Sequence, residues 1–207
     1  MMGLSGWLHW IAWFTKYFIF LLIFATLGTF FFTVKFNSHG RMLAQTSPSV
    51  LFVFIMLYGI SSIMFCFCVS VFFSKASVAA AAGGFLWFFS YIPYFFIPQY
   101  YDTMSSGAKA ACCLLPNVAM SLGAQLIGEW ENAGIGSQWS NLNQGPSIDD
   151  NFKLSVVMVM FVVDSFIYAL IAWYVEAVFP GEYGVPQPWY FPVLLSYWCG
   201  KNKEVRM

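Results

Sequence analysis

The sequence predicts an all-α membrane protein with four transmembrane helices and one re-entrant helical hairpin. Three observations predict it. Of 207 residues, 60% are hydrophobic, 21% aromatic and 9% charged, whereas soluble domains carry charge on about a quarter of their residues. Four stretches are long and nearly free of charge, and about 20 apolar helical residues cross the roughly 30 Å hydrocarbon layer. A fifth apolar piece is cut into arms too short to cross. Nine basic and nine acidic residues cancel, which excludes the basic footprint of a nucleic-acid binder.

The first span is residues 11–34, with no charge from Tyr17 to Val34. Trp7, Trp10 and Trp13 make an interfacial belt at its entry side, and Lys16 can snorkel back to it. A polar loop, residues 35–47, carries Lys35, His39 and Arg41. Residues 49–73 form the second span, and Ser74-Lys75 is the whole connection to the third, residues 76–97. So short a turn makes these two helices antiparallel neighbours. The third span has unlike halves. Ala79, Ala80, Gly83 and Gly84 pair small residues four apart (Ala79/Gly83, Ala80/Gly84), which suits close helix packing. The second half is crowded with rings, among them Trp87, Phe88, Tyr91 and Tyr94, and Pro93 is expected to kink it.

Residues 99–109 read as a polar loop. The weaker apolar piece, residues 110–127, is interrupted by Pro116-Asn117 and by Gly123, so each arm is too short to span and a re-entrant or interfacial hairpin is expected. Re-entry puts both chain ends on one side of the membrane. Residues 128–151 form a loop containing Gly134, Gly136 and Gly145, with acids at Glu129, Glu131, Asp149 and Asp150. Ser147, Asp149 and Asp150 stand where the next helix is expected to begin, since acids suit the positive end of its dipole. The last span is residues 152–179. Pro180-Gly181 stops it, and Pro186, Pro188 and Pro192 discourage another helix. Residues 181–207 are therefore expected to lead away as an extended linker.

Charge alone barely orients the chain. With both ends inside, Lys16, Lys75, Lys201, Lys203 and Arg206 are internal, against Lys35, Arg41, Lys109 and Lys153 outside. No positive charge precedes Lys16 and no small-residue cleavage site follows the apolar core, so a signal peptide is not expected.

Few residues offer chemistry. No catalytic, cofactor-binding or metal-binding set is found. The five cysteines lack metal partners, because only His9 and His39 could join them and neither is nearby in sequence. No G-x-x-x-x-G-K-[ST] phosphate cradle occurs. Asp164 is the sharpest candidate, an acid within the last span, where an unpaired charge costs several kcal/mol. It reads either as a polar partner in a transport path or, more simply, as an acid satisfied by a neighbouring hydroxyl or amide, or kept protonated. Glu176 lies about 18 Å further along the axis, near the interface, and is expected to be solvated or paired with a tail residue. The rings at Trp87, Phe88, Tyr91 and Tyr94 read as interfacial anchors or as lipid contacts.

The motifs also carry a family resemblance. Glu176-Ala177-Val178-Phe179-Pro180-Gly181, Tyr183-Gly184, Pro186, Pro188-Trp189-Tyr190-Phe191 and Ser196-Tyr197-Trp198 resemble the end of the first transmembrane domain in A-subfamily ATP-binding-cassette (ABC) lipid transporters. The opening M-M-G-L-S-x-W-L-H-W, then F-S-K-A, A-A-A-x-G-G-F, Y-I-P-Y-F-F and N-V-A-M, extend the resemblance over essentially the whole chain. It implies that Met1 is an internal methionine, that the chain is a fragment, and that residues 1–180 are part of an ABC-2 type transmembrane domain, with cytosolic ends and an exofacial hairpin. Residues 181–207 then lead toward a nucleotide-binding domain absent here, where ATP and Mg are held. The resemblance also implies that the third span helps wall a lateral cleft for lipid, that phospholipid or sterol is moved, and that the location is the plasma membrane or a lysosome-related, lamellar-body organelle. The chain itself is not expected to be an enzyme; the complete protein is expected to be a lipid-translocating ATPase. The competing reading is a self-contained four-span scaffold or channel-like protein without ATP coupling. A coupling helix encoded upstream and a Walker motif downstream would decide between them.

Overall fold

A computed structural model describes residues 6–35, 42–147, 150–180 and 186–193, with the side chains of 6 and 7 excepted. Met1, the Trp7 side chain, His39, Arg41, Asp149, Gly181, Tyr183, Gly184 and residues 194–207, including Cys199 and the terminal bases, lie outside the described residues. Among the described residues seven α-helices follow in order: α1 Gly6–Thr33, α2 Pro48–Ser70, α3 Ala76–Phe89, α4 Ile97–Tyr100, α5 Ser106–Cys112, α6 Pro116–Asn132 and α7 Leu154–Val178. Short 3-10 turns lie at Ile92–Phe95 and Phe191–Val193. Four helical segments, Leu8–Thr33, Pro48–Ser70, Ala76–Tyr100 and Leu154–Val178, are long and apolar enough to cross a membrane. At 1.5 Å per residue each is about 35–39 Å long, enough for the hydrocarbon layer.

The core is not shared equally. It is built where α2, α6 and α7 meet, from Val50 and Phe54 of α2, Val118, Leu122 and Leu126 of α6, and Leu154, Val157 and Phe161 of α7. Phe54 and Phe161 meet edge-on with centroids 5.7 Å apart. The α1 and α3 helices flank this centre. No residue of α3 is buried, and in α1 only Ala25 and Thr29 are.

The helices define two ends. At one, which we call the looped end, lie residues 34–35, 42–47, 101–105, 133–147 and 150–153. Ser47 N donates to Ser137 O at 3.0 Å, Trp139 Nε1 donates to Ser49 Oγ at 2.9 Å, and Tyr101 OH donates to Asp150 Oδ2 at 3.0 Å. At the opposite end, α1 begins, α2 ends and α7 ends: Trp10 packs on Phe67 at 4.9 Å and donates a hydrogen bond to Glu176. Glu176 was expected to be solvated or to meet the tail; it is exposed, and it also accepts from α1.

Several sequence expectations need correction. The third span is broken rather than kinked at Pro93: α3 stops at Phe89, a 3-10 turn takes Ile92–Phe95, and α4 resumes at Ile97. A second proline at 98 stands in the first turn of α4, where its missing N–H leaves no ladder bond unmade, so the α-helix restarts there. The connection between α2 and α3 is residues 71–75, longer than Ser74-Lys75 alone. Gly123 does not interrupt its segment. It lies inside α6, which continues to Asn132, and a Cβ there would collide with the Phe54 ring, so the glycine permits close approach. The α7 helix starts at Leu154, later than the acids suggested. Asp150 Oδ1 instead accepts from Phe152 N at 2.9 Å, outside the helix. Finally, residues 186–193 do not lead away: Gln187 N donates to Ala177 O at 2.9 Å, folding the strap back on α7.

Candidate functional site

The α5–α6 pair, a seven-residue and a seventeen-residue helix, brings polar groups to the middle of the bundle. Ser105 opens α5, its Oγ accepting from Ala108 N at 3.3 Å, and Pro116 opens α6, where a missing N–H costs nothing. The α5 helix starts beside Asp150 and the α6 helix ends beside Thr46, so both arms have their outer ends at the looped end. Their apex, residues 113–117, is fastened to mid-span side chains. Tyr168 OH donates to Leu114 O at 2.5 Å. Asn117 accepts from Tyr58 OH at 2.9 Å and donates through Nδ2 to Trp87 O and Ser90 Oγ, both at 2.8 Å. One amide therefore joins α2, α3 and the hairpin.

The four ring candidates do not form one face. Trp87 points inward, 5.6 Å from Phe65 and 6.2 Å from Tyr58. Phe88 points outward and is 68% exposed, with Phe85 and Phe89 beside it. Tyr91 and Tyr94 lie beyond the end of α3, 5.6 Å apart, and Tyr94 leans on the core. Of the small-residue patch, Gly83 faces α2, its nearest neighbour being Val69 Cγ1 at 4.0 Å from a built Cβ. Ala79 shares its half-buried state, while Ala80 and Gly84 are exposed and Gly84 meets nothing within 4 Å.

Asp164 is 1% exposed, and neither carboxylate oxygen has a hydrogen-bond partner among the described residues. The expectation that a neighbouring hydroxyl or amide satisfies it does not hold within these residues. It lies near Cys113 at the hairpin apex and near Tyr168, beside the same apex that Asn117 fastens. Ser61 Oγ on α2 is likewise buried without a partner.

Two polar sites at the looped end were not singled out from sequence. Lys109, 2% exposed, lies 3.4 Å from Asp150 Oδ1, 3.3 Å from Asn151 Oδ1 and 3.5 Å from the Tyr101 ring centroid. Burial, reinforced by the hydrogen bond to Asp150, pushes the Tyr101 phenol well above its usual range. This group lines an open cleft of about 600 Å³ with Asp102, Gln125 and Glu129. Glu131 accepts from the backbone N–H groups of Ala44, Gln45 and Thr46 and from Thr46 Oγ1, at 2.5–3.0 Å. The partners lie 41 and 85–87 residues away in sequence, so local spacing carried no signal for either site.

No protein-family model matches the chain. Individual proteins do. It is 52% identical over 205 residues, 99% of its length, to the human protein named phospholipid-transporting ATPase ABCA3. It is 39% identical over 198 residues to the human retinal-specific phospholipid-transporting ATPase ABCA4, and 37% over 206 residues to human ATP-binding cassette sub-family A member 2. These alignments take in 96–99% of this chain but only 8–12% of those proteins. Similarity that runs nearly end to end, at this level and to several members at once, means that this four-span sequence belongs to the A-subfamily of ATP-binding-cassette proteins.

Proposed function

We propose that the chain forms part of the membrane pathway of an ATP-driven transporter of phospholipid or sterol. Residues 1–180 are the spanning part of an ABC-2 type domain, with the α5–α6 hairpin re-entering from the exofacial side. Residues 181–207, whose stretch 186–193 folds back on α7, link the last span to a nucleotide-binding domain, and ATP with Mg is held there, outside this chain. The observation that carries the reading is the open ring face of α3, a helix with no buried residue whose Phe88 is 68% exposed beside Phe85 and Phe89. Ring faces of this kind offer acyl chains a wide apolar contact. The names of the relatives, two of them phospholipid-transporting ATPases, support the substrate class.

Trp87 is a poor probe of this surface because it packs inward and its carbonyl serves Asn117. Phe88 and Tyr91 are better. Replacing both by alanine in the complete transporter should lower lipid-stimulated ATP hydrolysis severalfold while basal hydrolysis persists. Reduced expression with an unchanged stimulation ratio would make the rings anchors and remove the lipid-contact reading.

A further inference from the structure

The strap of residues 186–193 reads PQPWYFPV and contains no charge. It is held against the last turns of α7 at three points. Gln187 N donates to Ala177 O and Tyr174 OH donates to Trp189 O, both at 2.9 Å. Phe191 is fully buried, 5.1 Å from the Trp173 ring and stacked on Tyr174 at 5.8 Å. With Phe191 turned toward the helix, its neighbours turn away: Trp189 is 72% exposed, Tyr190 46% and Val193 84%.

The position of this face matters. The strap lies beside residues 173–177 of a spanning helix, not beyond its end. Trp10 reaches Glu176 at the same level, and one turn along α1 Lys16 covers Trp13 at 4.7 Å. Tryptophan and tyrosine at such a level pair an apolar body with a polar tip, which suits the boundary between headgroups and acyl chains. The apolar surface also continues along α7, where Phe166 is 67% and Leu170 60% exposed.

We propose that residues 186–193 are a membrane-surface element, with Trp189, Tyr190 and Val193 lying in the headgroup layer and Phe191 pinning them to α7. The leaflet is the one at the α2–α3 turn. Continuity with the spanning surface of α7 and with the tryptophan belt of α1 selects lipid as the occupant. The absence of charge makes the attachment one of aromatic and apolar partition, indifferent to anionic lipid. A soluble protein domain seated on the same residues is the competing occupant.

The test uses the protein reconstituted in phosphatidylcholine vesicles, with Cys66, Cys68, Cys112, Cys113 and Cys199 replaced by alanine. Trp189→Cys, Val193→Cys and, as an aqueous reference at the same end, Ser74→Cys each receive an environment-sensitive dye. Dyes at 189 and 193 should be quenched severalfold more than the dye at 74 by lipids brominated near the headgroup, and severalfold less by aqueous iodide. Quenching by lipid should stay constant between about 0.05 and 0.5 M salt, a range over which exposed charge attraction is lost. Iodide access equal to that at 74 would overturn the proposal. So would shielding from iodide and brominated lipid together, the mark of a protein occupant, or loss of lipid quenching at high salt. If the cysteine-free background does not fold, native protein and Trp189→Phe can be compared directly. Native fluorescence should then contain a lipid-quenched component that the variant lacks, and identical quenching would overturn the proposal.

Discussion

Glu131 shows how much one side chain can hold together. Burial alone would raise its carboxyl, but hydrogen bonds from Gln45, Thr46 and Ala44 outweigh that and hold it below the usual carboxylate range. A group depressed in the folded state stabilises above its unfolded value of about 4.3 and loses that contribution as pH falls through the folded value. Glu131→Gln should therefore destabilise the fold near neutral pH by on the order of 2 kcal/mol, read as a lower melting temperature in detergent. The two melting curves should converge below about pH 4; a constant gap would show that the charge is not what matters. Asp164 is the opposite case, a carboxyl with no hydrogen-bond partner among the described residues. Since an ionised acid inside a span costs several kcal/mol, Asp164→Asn should fold and melt no lower than the native protein at pH 7. A marked loss of stability would reveal a partner that requires the carboxylate. The acid itself was legible as an anomaly in an apolar run, but Glu131 was not, because its partners lie on another loop.

At the scale of elements, the four spans were readable because absence of charge over some twenty residues leaves few alternatives to a membrane helix. Breaks within elements were harder. Pro93 was read as a kink because a lone proline usually bends a helix, yet it opens a 3-10 turn, and Pro98 opens the short helix that follows. Gly123 was read as an interruption from propensity, whereas α6 keeps it to bring its backbone onto the Phe54 ring. Gly123→Ala should accordingly destabilise by about 1–3 kcal/mol despite alanine's better helix propensity. Thermal melting against Gly128→Ala, where a Cβ meets nothing within 4 Å, checks this. Gly136 differs again, with φ +70° and its Cα against the backbone of Gln45 and Thr46, so the turn after α6 tolerates no side chain there. The hairpin's fastening through Asn117 had one visible sign, a proline-asparagine pair in an apolar piece. Which helices it joined needed three dimensions.

For the whole molecule, the described contacts place residues 42–47 and 133–147 together and residues 71–75 at the other end. Cysteine labelling from outside intact cells should reach Met42→Cys and Asn143→Cys but not Ser74→Cys. Labelling of all three, or of Ser74→Cys alone, would end the proposed orientation. The three loops at the first end are joined by Glu131, Ser47, Trp139, Lys109 and Tyr101, while α1 meets α7 at the other end through the exposed Trp10–Glu176 bond. At that second end α1 is held to its neighbours by ring packing on Phe67 and one exposed hydrogen bond to Glu176, so any separation of α1 from α7 would have to break the Trp10 contacts first.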